Sequence, residues 1–74
     1  MISNETAQRS SKIRIHNQNS VQIDFRIEPE GEVYPMASNA IFEIVGGDDI
    51  VIDETSISVY SVIEVYFNGV KIWP

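Results

Sequence analysis

The chain has 74 residues, no cysteine, and eleven acidic against five basic residues, for a formal net charge of −6. That length is room for one domain, whose small core rarely contributes more than roughly 3–5 kcal/mol of net stability. The missing cysteines exclude disulfides, thiolate metal sites and thiol chemistry, and the acidic excess, spread along the chain without a basic stripe, argues against nucleic acid as a partner.

Residues 1–10 are polar and without periodicity, and read as a flexible tail in which Ser3-Asn4-Glu5-Thr6 starts at most one helical turn. They contain no apolar run of the kind a secretory leader carries, and no later stretch has the apolar length a bilayer requires. The expectation is a cytoplasmic protein with no membrane partner, its single β domain spanning residues 11–74.

From Lys12 the pattern alternates, with Ile13 and Ile15 on one side and Lys12, Arg14 and His16 on the other, as in a half-buried strand. Asn17-Gln18-Asn19-Ser20 has turn composition. Val21, Ile23, Phe25 and Ile27 then alternate with Gln22, Asp24, Arg26 and Glu28, the clearest strand in the chain, and Phe25 at its centre is predicted to be core. Pro29 ends this run and Gly31 permits a reversal. Val33 to Met36 reads as a short edge strand interrupted by Pro35, and Ala37-Ser38-Asn39 as the next turn.

Ala40 to Val45 is evenly apolar and reads as a strand, Gly46-Gly47-Asp48-Asp49 as a turn, Ile50 to Asp53 as another strand and Glu54-Thr55-Ser56 as a second break. Ile57 to Phe67 is one long strand bent near Ser61, with Ile57, Val59, Ile63, Val65 and Phe67 in one phase. Asn68-Gly69 is a type I′ hairpin signal and Val70 to Trp73 the returning strand. That loop length pairs Phe67 with Val70 and Val65 with Ile72 on the core face, and Tyr66 with Lys71 and Glu64 with Trp73 on the outer face. The fold expected is all-β: a small six- or seven-stranded antiparallel sandwich or partly open barrel with a C-terminal hairpin.

The order Asn17-Gln18-Asn19-Ser20, Ile27 to Tyr34, Phe42-Glu43-Ile44 and Asn68-Gly69 resembles a pattern in small uncharacterised bacterial β-proteins. Its distinctive element is the Glu-Pro-x-Gly-x-x-Tyr run from Glu28 to Tyr34, which reads as turn chemistry. The resemblance implies a small β domain and transfers no activity and no site.

His16 is the only histidine and has no nucleophile or metal signature around it, so no catalytic residue is assigned. Glu28, Glu30 and Glu32 gather at one turn, but hydrolytic use of paired carboxylates needs a cleft for which a domain of this size has little room. Asp48, Asp49, Asp53 and Glu54 are oxygen ligands of the kind calcium selects, in a spacing that matches no EF-hand loop; no metal and no cofactor is assigned. Tyr60, Tyr66 and Trp73 are the candidate binding residues, an aromatic outer face with Tyr34 the other aromatic near them. Cross-strand pairs that only stabilise the sheet are the competing account of this face. The reading is therefore a non-enzymatic protein-interaction module binding a protein partner or a second copy of itself. The alternative is a calcium- or carbohydrate-binding domain using the acidic turns or the aromatic face.

Overall fold

The computed structural model describes residues 12–74. Six strands follow one another without a helix among these residues: β1 (Ile13–His16), β2 (Ile23–Glu28), β3 (Glu32–Met36), β4 (Ile41–Ile52), β5 (Ser56–Phe67) and β6 (Val70–Trp73). No helix long and apolar enough to cross a membrane is present among them. The expected tail of residues 1–10, with its helical turn, lies outside the described residues.

The strands form one sheet in the order β1-β4-β5-β2-β3, with β6 pairing β5, and the sheet is not closed into a barrel. Strand β5 is its axis. Its first half pairs with β2 from Asp24↔Ser56 to Glu28↔Tyr60, its second half pairs with β6, and β4 runs along its other side. The all-β expectation holds, with one correction to an antiparallel sheet: β2 and β5 are parallel. Both strands lead toward Tyr60 because β3 and β4 intervene between them, a crossover that local sequence patterning does not register.

A second correction concerns Gly46-Gly47-Asp48-Asp49, which is not a turn. The chain passes straight through it, so the two strands expected on either side are one twelve-residue strand, and the reversal comes at Asp53, whose N–H bonds the Ser56 carbonyl at 2.8 Å. The glycines instead carry irregularities in the β4–β5 ladder. Val45 pairs with Glu64, Gly46 with Val62 and Asp49 with Tyr60, so Ile63 is extra on one strand and Gly47-Asp48 oppose Ser61 on the other. The backbone is left-handed at Gly46 (φ 82°), Gly47 (φ 92°) and Ser61 (φ 62°), and a Cβ on Gly46 would lie 3.0 Å from the Ile63 side chain. Only glycine accepts both conditions without strain.

These bulges fold the sheet over itself. Phe25 on β2 is in the row of Ile57 and Ile52, and ten residues along β4 from Ile52 a straight strand would place Phe42 about 30 Å away. The two rings in fact meet edge to face with centroids 4.8 Å apart. The core so enclosed is Ile15, Ile23, Phe25, Ile27, Met36, Phe42, Ile44, Ile57, Val59, Val62 and Val65. The bulge also reverses the expected phase at one point, burying Val62 and leaving Ile63 64% exposed.

The C-terminal hairpin has the expected turn, with φ 54° at Asn68 and 79° at Gly69 and Phe67 opposite Val70, but this pair, expected on the core face, is exposed at the end of the sheet. A Cβ on Gly69 meets nothing within 4 Å, so the cost of a side chain there is conformational alone. Gly69→Val is expected to lower stability by about 1–2 kcal/mol and Asn68→Gly by a few tenths, measured as shifts in thermal midpoint. Equal tolerance of the two would contradict a type I′ turn.

Candidate functional site

The three candidate aromatics do not form one patch. Tyr60 and Tyr66 are on the outer face of β5, but six residues of strand, about 20 Å, separate them. Trp73 is on the other face. A register shift between Val65 and Tyr66 places Trp73 opposite Val65, not Glu64, and both Ile72 and Trp73 pack against the core. The expected pairs Glu64–Trp73 and Val65–Ile72 are thus replaced by an irregular end to the hairpin that turns the indole inward. Tyr34 also points to the core side, where its hydroxyl donates to the Ile72 carbonyl at 3.1 Å and ties β3 to β6.

Tyr66 belongs to a charged row. Arg14, Glu43, Tyr66 and Lys71 are successive partners across β1, β4, β5 and β6. The Tyr66 hydroxyl donates to Glu64 Oε1 at 2.7 Å, Lys71 Nζ is 3.6 Å from Glu64 Oε2, and Lys12 Nζ stands 4.1 Å above the Tyr66 ring. Its pKa is raised above the ordinary 10.0, first by the hydrogen bond to Glu64 and then by partial desolvation and the carboxylate charge. Because the folded value is raised, the associated stability is present below the unfolded tyrosine pKa and is lost as pH climbs through the folded one. Glu64→Gln is therefore expected to lower the Tyr66 midpoint in an alkaline titration followed by phenolate absorbance. An unchanged midpoint would mean the bond is not formed in solution.

Tyr60 has a different setting. Its cross-strand neighbours are Glu28 on β2 and Asp49 on β4, and with Ile27, Val59 and Ile50 turned to the core, all three side chains share the outer face. The adjacent row is Val33, Arg26, Ser58 and Val51, in which Arg26 reaches Asp24 Oδ2 at 3.3 Å. Tyr60, Val33 and Val51 are exposed on this face.

Folding also segregates charge that is evenly distributed in the sequence. Asp24, Glu28, Glu30, Glu32, Asp48, Asp49, Asp53 and Glu54 fall on β2, β3, the second half of β4 and the adjoining turns, against Arg26 alone. The remaining half carries Lys12, Arg14 and Lys71 against Glu43 and Glu64. The carboxylates of the acidic half do not converge, since Asp49 and Asp53 are about 13 Å apart along the strand, and among the described residues no three candidate ligands come together for a metal ion.

His16 is exposed, with Gln18 Nε2 3.5 Å from its Nδ1. The apolar groove of about 330 Å³ where the sheet stays open, between Tyr34 and Pro35 on one side and Phe67 and Ile72 on the other, is poorly suited to an added strand. Pro35 has no N–H to offer, and the Tyr34 hydroxyl already occupies the Ile72 carbonyl. Reading the sequence missed the Tyr60 row because Glu28 meets Tyr60 only through the parallel β2–β5 pairing and Asp49 only through the bulged β4–β5 ladder. Comparison with protein-family models, with curated proteins and with solved structures finds no match to this chain.

Proposed function

We propose that this chain is a non-enzymatic protein-interaction domain, and that it acts through the outer face of its acidic half. The observation that carries the reading is the Tyr60 row with the row beside it: an exposed aromatic and two exposed valines set among carboxylates on a continuous strand surface. Aromatic area with a charged rim is the composition of an interface more than of an ordinary solvated face. The small depressions of the surface support a binding role over a catalytic one, because the groove at the open seam is at the lower limit of pocket sizes that enclose a small molecule.

The test is site-directed photocrosslinking in the native cytoplasmic extract, with the probe at Ser58 on the acidic face or at Arg14 on the opposite half. A partner joined at Ser58 and not at Arg14, identified and rebound as purified protein, supports the reading. Equal labelling at both positions, or none at either, overturns it. Sedimentation of the purified chain runs alongside. Because Trp73 packs inward, a dimer built on the terminal hairpin is not expected: Trp73→Ala should lower the melting temperature and leave the sedimentation coefficient unchanged.

A further inference from the structure

Resting on that reading, we infer that the acidic face takes a lysine-bearing extended segment of a partner protein, with one ammonium group seated on the Tyr60 ring between Glu28 and Asp49. The chain contains its own worked example of such a site. Tyr66, on the same face of the same strand, has Glu64 at its hydroxyl and Glu43 as cross-strand neighbour, and Lys12 Nζ occupies its ring at 4.1 Å. Tyr60 shares the acidic cross-strand neighbour and has two of them, Glu28 and Asp49, where Tyr66 has Glu43 and Lys71; Ser58 stands where Tyr66 has Glu64. Among the described residues no lysine or arginine stands over its ring. The nearest base in the ladder, Arg26, is two residues from Glu28 and engaged with Asp24.

The site is also supplied with the field that selects its occupant. An ammonium group is attracted to the face of a tyrosine ring by the ring quadrupole, and more strongly where carboxylates flank it. Here the local charge is nearly uniform in sign, since both cross-strand neighbours of Tyr60, Glu28 and Asp49, are acidic, Arg26 on the same half is engaged with Asp24, and Lys12, Arg14 and Lys71 are on the other half. A segment in extended conformation matches the face because its side chains alternate at the spacing of the strands beneath, letting a lysine reach Tyr60 while smaller residues lie over Val33 and Val51. As a source of the lysine a second copy of this chain fits less well, because Lys12 and Lys71, the lysines among the described residues, contact Tyr66 and Glu64 within their own molecule.

The experiment is calorimetric titration of the full chain at low salt with a synthetic peptide of alternating lysine and serine, and with the same peptide acetylated on its lysines. Tyr60→Leu keeps apolar bulk and removes the quadrupole, and is expected to weaken binding about two- to fivefold, with Tyr60→Phe equal to the parent. Removing charge at the site, in Glu28→Gln with Asp49→Asn, should weaken it more than removing the same charge at the β4–β5 turn, in Asp53→Asn with Glu54→Gln. The acetylated peptide should not bind. Melting curves confirm that the variants are folded, as expected for positions outside the core.

If Tyr60→Leu binds like the parent, or the two charge-removing pairs weaken binding equally, attraction is diffuse and the seated ammonium is overturned. If the peptide does not bind but Ser58 still crosslinks a partner, the lysine inference falls and the interaction reading stands. Failure of both experiments overturns both. Free lysine amide binding as tightly as the peptide, at equal lysine concentration, would replace the protein segment with a small cation and likewise overturn the inference.

Discussion

Asn17→Asp is expected to leave the domain largely unfolded at neutral pH, although it exchanges one atom for another of the same size. Asn17 is 1% exposed, and its Nδ2 donates to the carbonyls of Val21 at 3.0 Å, Met36 at 2.9 Å and Ala37 at 3.0 Å. Its Oδ1 accepts from Asn19 N at 3.0 Å, and its backbone bonds Ala40 and Asn39. One side chain thus joins the end of β1 to the β3–β4 connection, and three carbonyls share two amide protons. A carboxylate presents an acceptor where the three carbonyls need a donor. Each buried carbonyl so stranded costs about 1–3 kcal/mol and the unpaired carboxylate several more, against a net stability of roughly 3–5 kcal/mol for a core this size.

The pH dependence supplies a signature that simple cavity formation lacks. Burial against carbonyls raises the folded pKa of the new carboxyl above its unfolded value of about 3.9. The stability deficit relative to the parent should therefore be smallest below that unfolded value and grow as pH rises through the folded one. Circular dichroism melts of both proteins across that range, with exposed Gln18→Asp as a control for added charge, make the comparison. An Asn17→Asp variant that melts with the control would show that the Asn17 network does not hold the fold.

The parts of this fold legible from sequence are those whose signal is local. Ile23 to Ile27 alternates because β2 has one face on the core, although the pattern overreaches at Val21, which precedes the strand and is exposed, and Asn68-Gly69 marks the hairpin because two successive left-handed residues have few other solutions. Gly46-Gly47-Asp48-Asp49 is open to misreading for the same physical reason: glycines and aspartates that favour reversal also favour a bulge, and only the partner strand decides between them. Once the bulge is in place Ile63 turns outward, a one-residue slip that no period-two reading of β5 contains. The register shift that turns Trp73 inward is equally a property of the pair and not of either strand. Asn17 looks like turn chemistry because its role depends on carbonyls up to twenty residues away. The Tyr60 row and the separation of charge arise from the crossover that makes β2 and β5 parallel neighbours together with the bulged β4–β5 register, so no local window holds them.

Phe25→Ala is expected to abolish cooperative folding, and it tests the folding-over of the sheet more directly than any surface change. Phe25 is fully buried and meets Phe42 edge to face at 4.8 Å, and Phe42 in turn meets Phe67 at 5.3 Å, so a file of three rings runs from the interior toward the open seam. Phe25 belongs to the β2 side of the bend and Phe42 to the β1 side, which makes their contact one that exists only if the bulges at Gly46, Gly47 and Ser61 bring the two halves together. Truncating a buried phenylalanine costs about 3–5 kcal/mol, and an aromatic pair adds about 0.5–1.5 kcal/mol beyond its buried area. That equals or exceeds the stability available to a domain of this size. Phe67→Ala, at the exposed end of the file, removes far less buried surface and should cost about 1 kcal/mol. Phe25→Leu retains most of the volume without the ring and is expected to fold with a melting temperature between the two, which keeps the comparison measurable even if the alanine variant does not fold at all. The decisive measurement is chemical denaturation of the parent and the three variants. Should Phe25→Ala unfold cooperatively with a midpoint close to that of Phe67→Ala, the rings would not be packed across the bend, and the aliphatic core, Asn17 and the Tyr34–Ile72 bond would have to hold the two halves of the sheet together.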